Sequence, residues 1–248
     1  MRQMCSLLAY HSPTPTTFNQ VLGDDFKGFV ELAHQHCDGW GIATSTPKSA
    51  KLFKEPVAAT SSESFKSQLA ESSSAIALLH LRWATPGLGI NQNNTHPFTY
   101  QDISFMHNGS ITPTECLDSK IAPMYLAIKS GTTDSERYFL YLLTQIKALG
   151  FIDGVLAAIS YIKANCDYTS LNMMISNKNT LICLCLYNLD RVPERFKSTP
   201  EYYQIKYTTI NGCVVVGSSG WNQSNWQELK NSTALIVNSD QSYKVVNL

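Results

Sequence analysis

Apolar residues along this chain recur with two different spacings, and the changes between them divide it into elements. Met4–Tyr10 is a short, nearly continuous apolar run, the pattern of a buried strand, and Pro13 and Pro15 are expected to break the chain after it. Phe18, Val21, Leu22, Phe26, Phe29, Val30 and Ala33 recur at three and four, which predicts helix over 18–33 in two pieces that meet at Gly23. Trp40–Thr44 reads as a strand introduced by Asp38-Gly39, Lys51–Lys54 as its hairpin partner, and Ser61–Ser72 as a polar surface helix. Further on, Ile121–Ile128 is an apolar helical patch. Tyr138, Phe139, Leu142, Leu143 and Ile146 keep helical spacing until Gly150, and Ile152–Ala164 makes another helix. Turn residues then separate six predicted strands: Leu171–Ile175, Leu181–Tyr187, Tyr202–Thr208, Cys213–Gly217, Ala234–Asn238 and Tyr243–Val246.

Strands, then helices, then strands, joined by hairpin-length connections, predict an α+β fold of mainly antiparallel sheets covered by helices. No internal repeat, low-complexity segment or linker interrupts the sequence, so a single domain over 1–248 is expected.

One stretch stands apart. Leu78–Ile111 begins with an apolar run ending in Arg82 and closes with another ending in Asn108-Gly109. Between them lies a long segment of Gly, Asn, Pro and Thr. Two strands holding up a long polar loop are a common way to build a site. Arg82 offers a fork of donors matched to a carboxylate, while Asn108 and Gly109 offer a side-chain amide and an unobstructed backbone N–H. Taken alone, each has a plainer explanation. An Arg after a strand is commonly a surface charge, and Asn-Gly is a strong signal for a tight hairpin turn.

Composition narrows the function classes. The chain is 44% hydrophobic and 15% charged with a formal net charge of zero, so it lacks the basic footprint of a nucleic-acid binder. No Lys/Arg cluster suggests an anionic membrane. The N-terminal apolar run is too short for a secretory signal, and no stretch approaches the ~18 apolar residues that span a bilayer; a cytoplasmic protein is expected. Seven cysteines, odd in number and irregularly spaced, do not form a disulfide framework; Cys183 and Cys185 share one face of an apolar run and are expected in the core. His34, His36 and Cys37 lack a second half with metal-ligand spacing.

An ordered set of motifs adds to this. Cys5, DGWGIA at Asp38–Ala43, HLRWATPG at His80–Gly87, THPF at Thr95–Phe98, HNGSI at His107–Ile111 and TDSE at Thr133–Glu136 together resemble the class II glutamine amidotransferases, the Ntn-type family with an N-terminal cysteine nucleophile. The six blocks follow the family's order over about half the chain. VVVGSS at Val214–Ser219 looks, more loosely, like the stand-alone branch of the family, which acts on glutamine or γ-glutamyl compounds. The resemblance implies the four-layer αββα Ntn-hydrolase sandwich, two mainly antiparallel sheets between layers of helices.

It also implies roles. Cys5 would be the nucleophile, with its own α-amino group (pKa ~7.7) as the base for a thiol of pKa ~8.5. Asn108 and the Gly109 N–H would form the oxyanion hole, where one fixed donor is typically worth ~3–4 kcal/mol. Arg82 would hold the substrate α-carboxylate, Thr85 would add a hydrogen bond and Asp134 would hold the α-ammonium. Trp83, with Trp40 and Gly41, would line the pocket. Thr133-x-x-Glu136 also reads as a capping box, which would fix the loop presenting Asp134. His80, His96 and His107 are expected to be structural. The chemistry calls for no cofactor or metal.

One departure matters: Met1–Met4 precede Cys5, where the family pattern has only an initiator methionine. A chain that keeps them has an amide in place of the base, so translation from Met4 or removal of residues 1–4 is expected. The reaction expected is hydrolysis of a γ-glutamyl amide through a γ-glutamyl-thioester on Cys5, releasing glutamate and ammonia or an amine. Little chain remains for a synthase domain. Either ammonia passes to a separate synthase subunit, or the substrate is a γ-glutamyl peptide or conjugate. The alternatives are a catalytically inactive glutamine-binding regulatory subunit and an Ntn hydrolase of another amide; the Arg82–Asp134 pair speaks against the latter.

Overall fold

The computed structural model describes residues 5–46, 48–84, 87–191, 194 and 201–248. In chain order its strands begin with β1 (Ser6–Thr16), β2 (Trp40–Ser45), β3 (Ala50–Glu55), β4 (Ser74–Leu81), β5 (Phe98–Tyr100), β6 (Ile103–Asn108) and β7 (Ile111–Thr112). They continue with β8 (Asp167–Tyr168), β9 (Asn172–Ser176), β10 (Leu181–Cys185), β11 (Ile205–Ile210), β12 (Cys213–Ser218), β13 (Gln227–Leu229), β14 (Thr233–Val237) and β15 (Tyr243–Asn247). The α-helices are α1 (Phe18–Leu22), α2 (Asp25–Glu31), α3 (Glu63–Glu71), α4 (Pro123–Leu126), α5 (Asp134–Leu149) and α6 (Phe151–Asn165).

Two antiparallel sheets carry the fold, ordered β13-β11-β12-β1-β4-β2-β3 and β15-β14-β10-β9-β6-β5; β7 and β8 form a separate two-stranded ribbon. Side chains alternate along each strand, so one strand feeds two cores. In β1, Leu8 and Tyr10 pack with Phe18, Phe26 and Phe29 of α1 and α2 and with Phe65 of α3. Leu7 and Ala9 point the other way and meet Met106, Met174, Cys183 and Leu235 of the second sheet. That sheet turns Phe105, Ile175 and Ile182 outward, under Phe139, Val155 and Ile159 of α5 and α6. The result is the four-layer αββα sandwich. Its inner strands read as continuous apolar runs because both faces are covered. Each fully buried Leu, Ile or Phe contributes roughly 1.5–3 kcal/mol of transfer free energy.

Most predicted elements appear within a residue or two of their expected ends, and the helix over 18–33 does split at Gly23. Four expectations change. β1 does not stop at the prolines. It runs on to Thr16 with a register shift after His11, because Pro13 and Pro15 lie in its exposed half, where a missing N–H costs little. The Ile121–Ile128 patch contains only one helical turn, α4. The strands flanking the long polar loop belong to different sheets: β4 to the first, β6 to the second. Asn108-Gly109 is not a hairpin turn either, since β6 pairs with β5 and β9 and the chain after Gly109 joins the β7–β8 ribbon. The short strands β5, β7, β8 and β13 have too few residues for a periodic signal.

Gly154 lies where α5 and α6 cross. A Cβ there would sit 2.5 Å from the Ile146 Cα and 2.6 Å from its nitrogen, both rigid backbone atoms. In an exposed helix Gly→Ala gains roughly 1 kcal/mol. Here Gly154→Ala is expected to lose about 2 kcal/mol or more, because the helices must separate; urea unfolding of the two proteins reads the sign directly.

Candidate active site

The alternation that builds the cores also places the motif residues. Cys5 follows the parity of Leu7 and Ala9 and packs against the core between the sheets. Asn108 follows the parity of Met106, on the inner face of the opposing sheet. β1 and β4 are paired with Ser6 opposite Leu81, so Cys5 comes alongside the segment just after β4. There the Cys5 Sγ donates to the Trp83 carbonyl (3.3 Å) and accepts from the Trp83 N–H (3.4 Å). Burial pushes the thiol up to about 11, against the opposing pull of the Trp83 backbone and the Arg82 charge.

Arg82 is not a surface charge. It is 3% exposed, and among the described residues its guanidinium donates only to carbonyl oxygens, to Asp38 from Nη1 (3.4 Å) and to Gly89 from Nη2 (3.3 Å). Among the described residues no carboxylate lies within ion-pair distance of it. Burial lowers its pKa, while Cys5 and Asp38 pull the other way. Asp38 holds the strand-end loop by accepting the Ala84 N–H at Oδ2 (2.8 Å).

Asp134 opens α5 and accepts the Ile111 N–H at Oδ2 (2.7 Å), which ties the helix start to β7. Thr133 caps α5 by accepting the Glu136 N–H (3.1 Å). The predicted capping box is only half present. Glu136 does not turn back to Thr133 but accepts the Ser130 and Gly131 N–H groups, each at 2.7 Å. Asn94, in the loop after β4, accepts the Thr132 N–H at Oδ1 (2.9 Å) and donates from Nδ2 to Gly89 (3.1 Å). The loop carrying Arg82 and the turn carrying Asp134 are thereby one hydrogen-bonded unit. Asn94 went unmarked in the sequence, and Glu136 signalled only half of a capping box, because neither residue type marks its partner.

Asn108 ends β6, 6% exposed, and its Nδ2 has no hydrogen-bond partner among the described residues. An unmet buried amide donor costs about 1–3 kcal/mol, so the position is held against its own preference. Gly109 follows against the Ser170 carbonyl; a Cβ there would lie 1.9 Å from that oxygen, so no other residue fits. His107 supports the same corner. Its Nε2 donates to the Ser170 carbonyl (3.0 Å), which leaves Nδ1 to accept the Ser135 hydroxyl (2.9 Å).

Trp83 is half-buried beside Cys5. Trp40 is a core residue: it stacks edge-on against Phe65 and donates to Glu55 (3.3 Å) in the layer beneath the helices. Gly41 packs against His96 and Pro97. Thr85 lies outside the described residues. Cys183 and Cys185 are buried between the sheets, as expected. His36 turns inward to Ser6 (3.0 Å), and among the described residues no three His, Cys, Asp or Glu side chains form a metal cage. Among them, too, no helix is long and apolar enough to cross a membrane.

The model of the family described as glutamine amidotransferases class-II matches residues 4–200. The chain belongs to this family. It is 29% identical over 212 residues to YafJ of Escherichia coli (strain K12), covering 77% of each chain. It is 32% identical over 169 residues to DUG3 of Saccharomyces cerevisiae, covering 60% of this chain and 47% of the yeast protein. A glutamine aminotransferase class-II domain protein from Silicibacter pomeroyi has the same fold, with a TM-score of 0.70 at 21% identity over 98% of this chain and 99% of that one. The allosteric regulatory enzyme of purine biosynthesis shares it over 98% of this chain but only 49% of its own, with a TM-score of 0.68 at 17% identity.

In this family member four histidines lie buried around the candidate site: His36, His80, His96 and His107. His80 and His96 stack at 4.5 Å between ring centroids. Burial holds all four below the ordinary imidazole value, His36 at about 4 and His80 at about 3, where Arg82's charge adds to the effect. All therefore stay neutral at neutral pH in the folded chain, whereas the unfolded chain takes up protons on them below about pH 6.5. Stability is thus full above that value and falls as the pH drops towards 4. Urea unfolding at pH 6.5 and 5.5 is expected to show a loss of about 1 kcal/mol for each of His36 and His80, roughly 2 kcal/mol for the pair. A flat profile over that unit would mean that they are protonated when folded.

Proposed function

We propose that this chain hydrolyses the side-chain amide of glutamine or a related γ-glutamyl amide. The observation that carries this reading is Arg82, a buried guanidinium without a carboxylate partner among the described residues. A buried cation of this kind is costly unless a ligand completes it, and its fork suits the α-carboxylate of a free amino acid. Asp134 takes the α-ammonium. Its Oδ1 is free of hydrogen bonds to the described residues, while Oδ2 is anchored on Ile111. With both ends of the amino acid fixed, the side-chain amide reaches Cys5.

The Cys5 thiol attacks the amide carbon, and the oxyanion is met by the unpaired Asn108 Nδ2 and the Gly109 N–H. Ammonia or an amine leaves a γ-glutamyl-thioester, which water then hydrolyses to glutamate. A thiol held at about 11 needs a base. The buried histidines nearby are too weakly basic, and Asp38 already accepts the Ala84 N–H. The α-amino group of Cys5 remains, with an ordinary pKa of ~7.7 suited to neutral pH. This requires a chain that begins at Cys5.

A second reading, a glutamine-binding regulatory subunit without turnover, is favoured by one observation: Met1–Met4 precede Cys5 in the sequence. The intact mass of the protein from its own cell separates the two, since a mass beginning at Cys5 supports the enzyme and a retained Met1 supports the subunit. In protein beginning at Cys5, Cys5→Ala is expected to abolish glutamate release from glutamine while glutamine still binds; retained turnover would refute the thioester. Asn108→Ala is expected to lower kcat about 10²–10³-fold with KM nearly unchanged, the effect of losing one oxyanion donor. Arg82→Lys should act mainly on KM, raising it roughly 10-fold or more through loss of the two-point contact.

A further inference from the structure

Two cysteines outside the site have no part in the chemistry above. Cys116 follows β7 in a turn closed by its own N–H to the Pro113 carbonyl (3.0 Å), and Cys166 ends α6 immediately before β8. The ribbon pairs Thr112 with Asp167, so the two cysteines arrive at the same end of it. Their sulfur atoms are 2.7 Å apart, far inside the ordinary non-bonded separation of two sulfurs. Both residues are half-buried, open enough for a small reagent. Cys183, Cys185 and Cys213 are buried, and exposed Cys37 turns its thiol to the neighbouring Asp38.

We propose that Cys116 and Cys166 are a reversible dithiol–disulfide site, oxidised by low-molecular-weight disulfides, that locks the β7–β8 ribbon to the end of α6. One thiolate attacks the small disulfide, forming a mixed disulfide and expelling one small thiolate. The second protein sulfur then attacks the mixed disulfide at the protein sulfur and expels the other. Two protein thiols lose two protons and two electrons, and one small disulfide becomes two small thiols. The new bond closes residues 116–166 into a loop that contains α4, α5 and Asp134. At the other end of the ribbon Ile111 holds the Asp134 carboxylate (2.7 Å), so the cross-link braces the element that carries this bond. Burial and the neighbouring Cys166 push the Cys116 thiol up to about 12, so exchange is slow at neutral pH and quickens in alkali.

The test is incubation of the full chain with cystamine at about pH 8.5, followed by unfolding, alkylation and digestion without reductant. The expected result is a peptide pair linked through Cys116 and Cys166. It should come with a rise in the unfolding midpoint on the order of 5–10 °C. Dithiothreitol should reverse the rise, and both Cys116→Ser and Cys166→Ser should lack it. Recovery of Cys116 and Cys166 from folded protein as free thiols, or as separate adducts of the small thiol, would overturn the proposal. These readouts are masses and a melting point, so either outcome leaves the reading of Cys5 standing or falling on its own assay.

Discussion

Two sheets pressed face to face impose the constraint on which the rest depends. A strand in such a sandwich meets a core on each face, and β1, β4, β6 and β9 send apolar side chains into both. The polar groups of the candidate site lie at strand ends. Cys5 precedes β1, Arg82 follows β4 and Asn108 closes β6. The first two come from one sheet and the third from the other, and the long loop after β4 crosses between the sheets. The gathering of these groups is a consequence of how the two sheets end.

The same burial governs the electrostatics. An interior that excludes water penalises every charged form, which raises the Cys5 thiol and lowers the four histidines. Neutral thiol and neutral imidazoles leave few fixed charges nearby. Arg82 lies among carbonyl oxygens, and Asp38 and Asp134 are each anchored by a backbone N–H. Helix α5 favours a carboxylate at its first turn through its dipole, so Asp134 is suited to its place by local structure as well as by any ligand.

Chains of 17% and 21% identity hold this fold with TM-scores of 0.68 and 0.70. What they must share is the two-faced apolar pattern of the inner strands and the space between the sheets. Side-chain identity is needed only where geometry leaves no alternative. Gly109 against the Ser170 carbonyl and Gly154 against the backbone of α5 are two such places.

Long elements were legible from periodicity alone. The split helix at Gly23, α5 and α6, and the strands of the second half follow from spacing, because 3.6- and 2-residue repeats reflect which faces are covered. The six motif blocks pointed to the family and to the residues that gather at the site. Other features were decided only by tertiary structure, where partners distant in sequence meet. Arg82 reads as a surface charge until the backbone carbonyls of Asp38 and Gly89 close over it. Asn108-Gly109 reads as a hairpin turn until β9 takes the place beside β6, and Glu136 reads as half of a capping box until Ser130 and Gly131 offer it better donors. Local sequence determined which segments are helix and strand, since that depends on neighbours three or four residues away. Burial, unmet hydrogen bonds and the contact of Cys116 with Cys166 depend on residues tens of positions apart, and only the packed sheets brought those together.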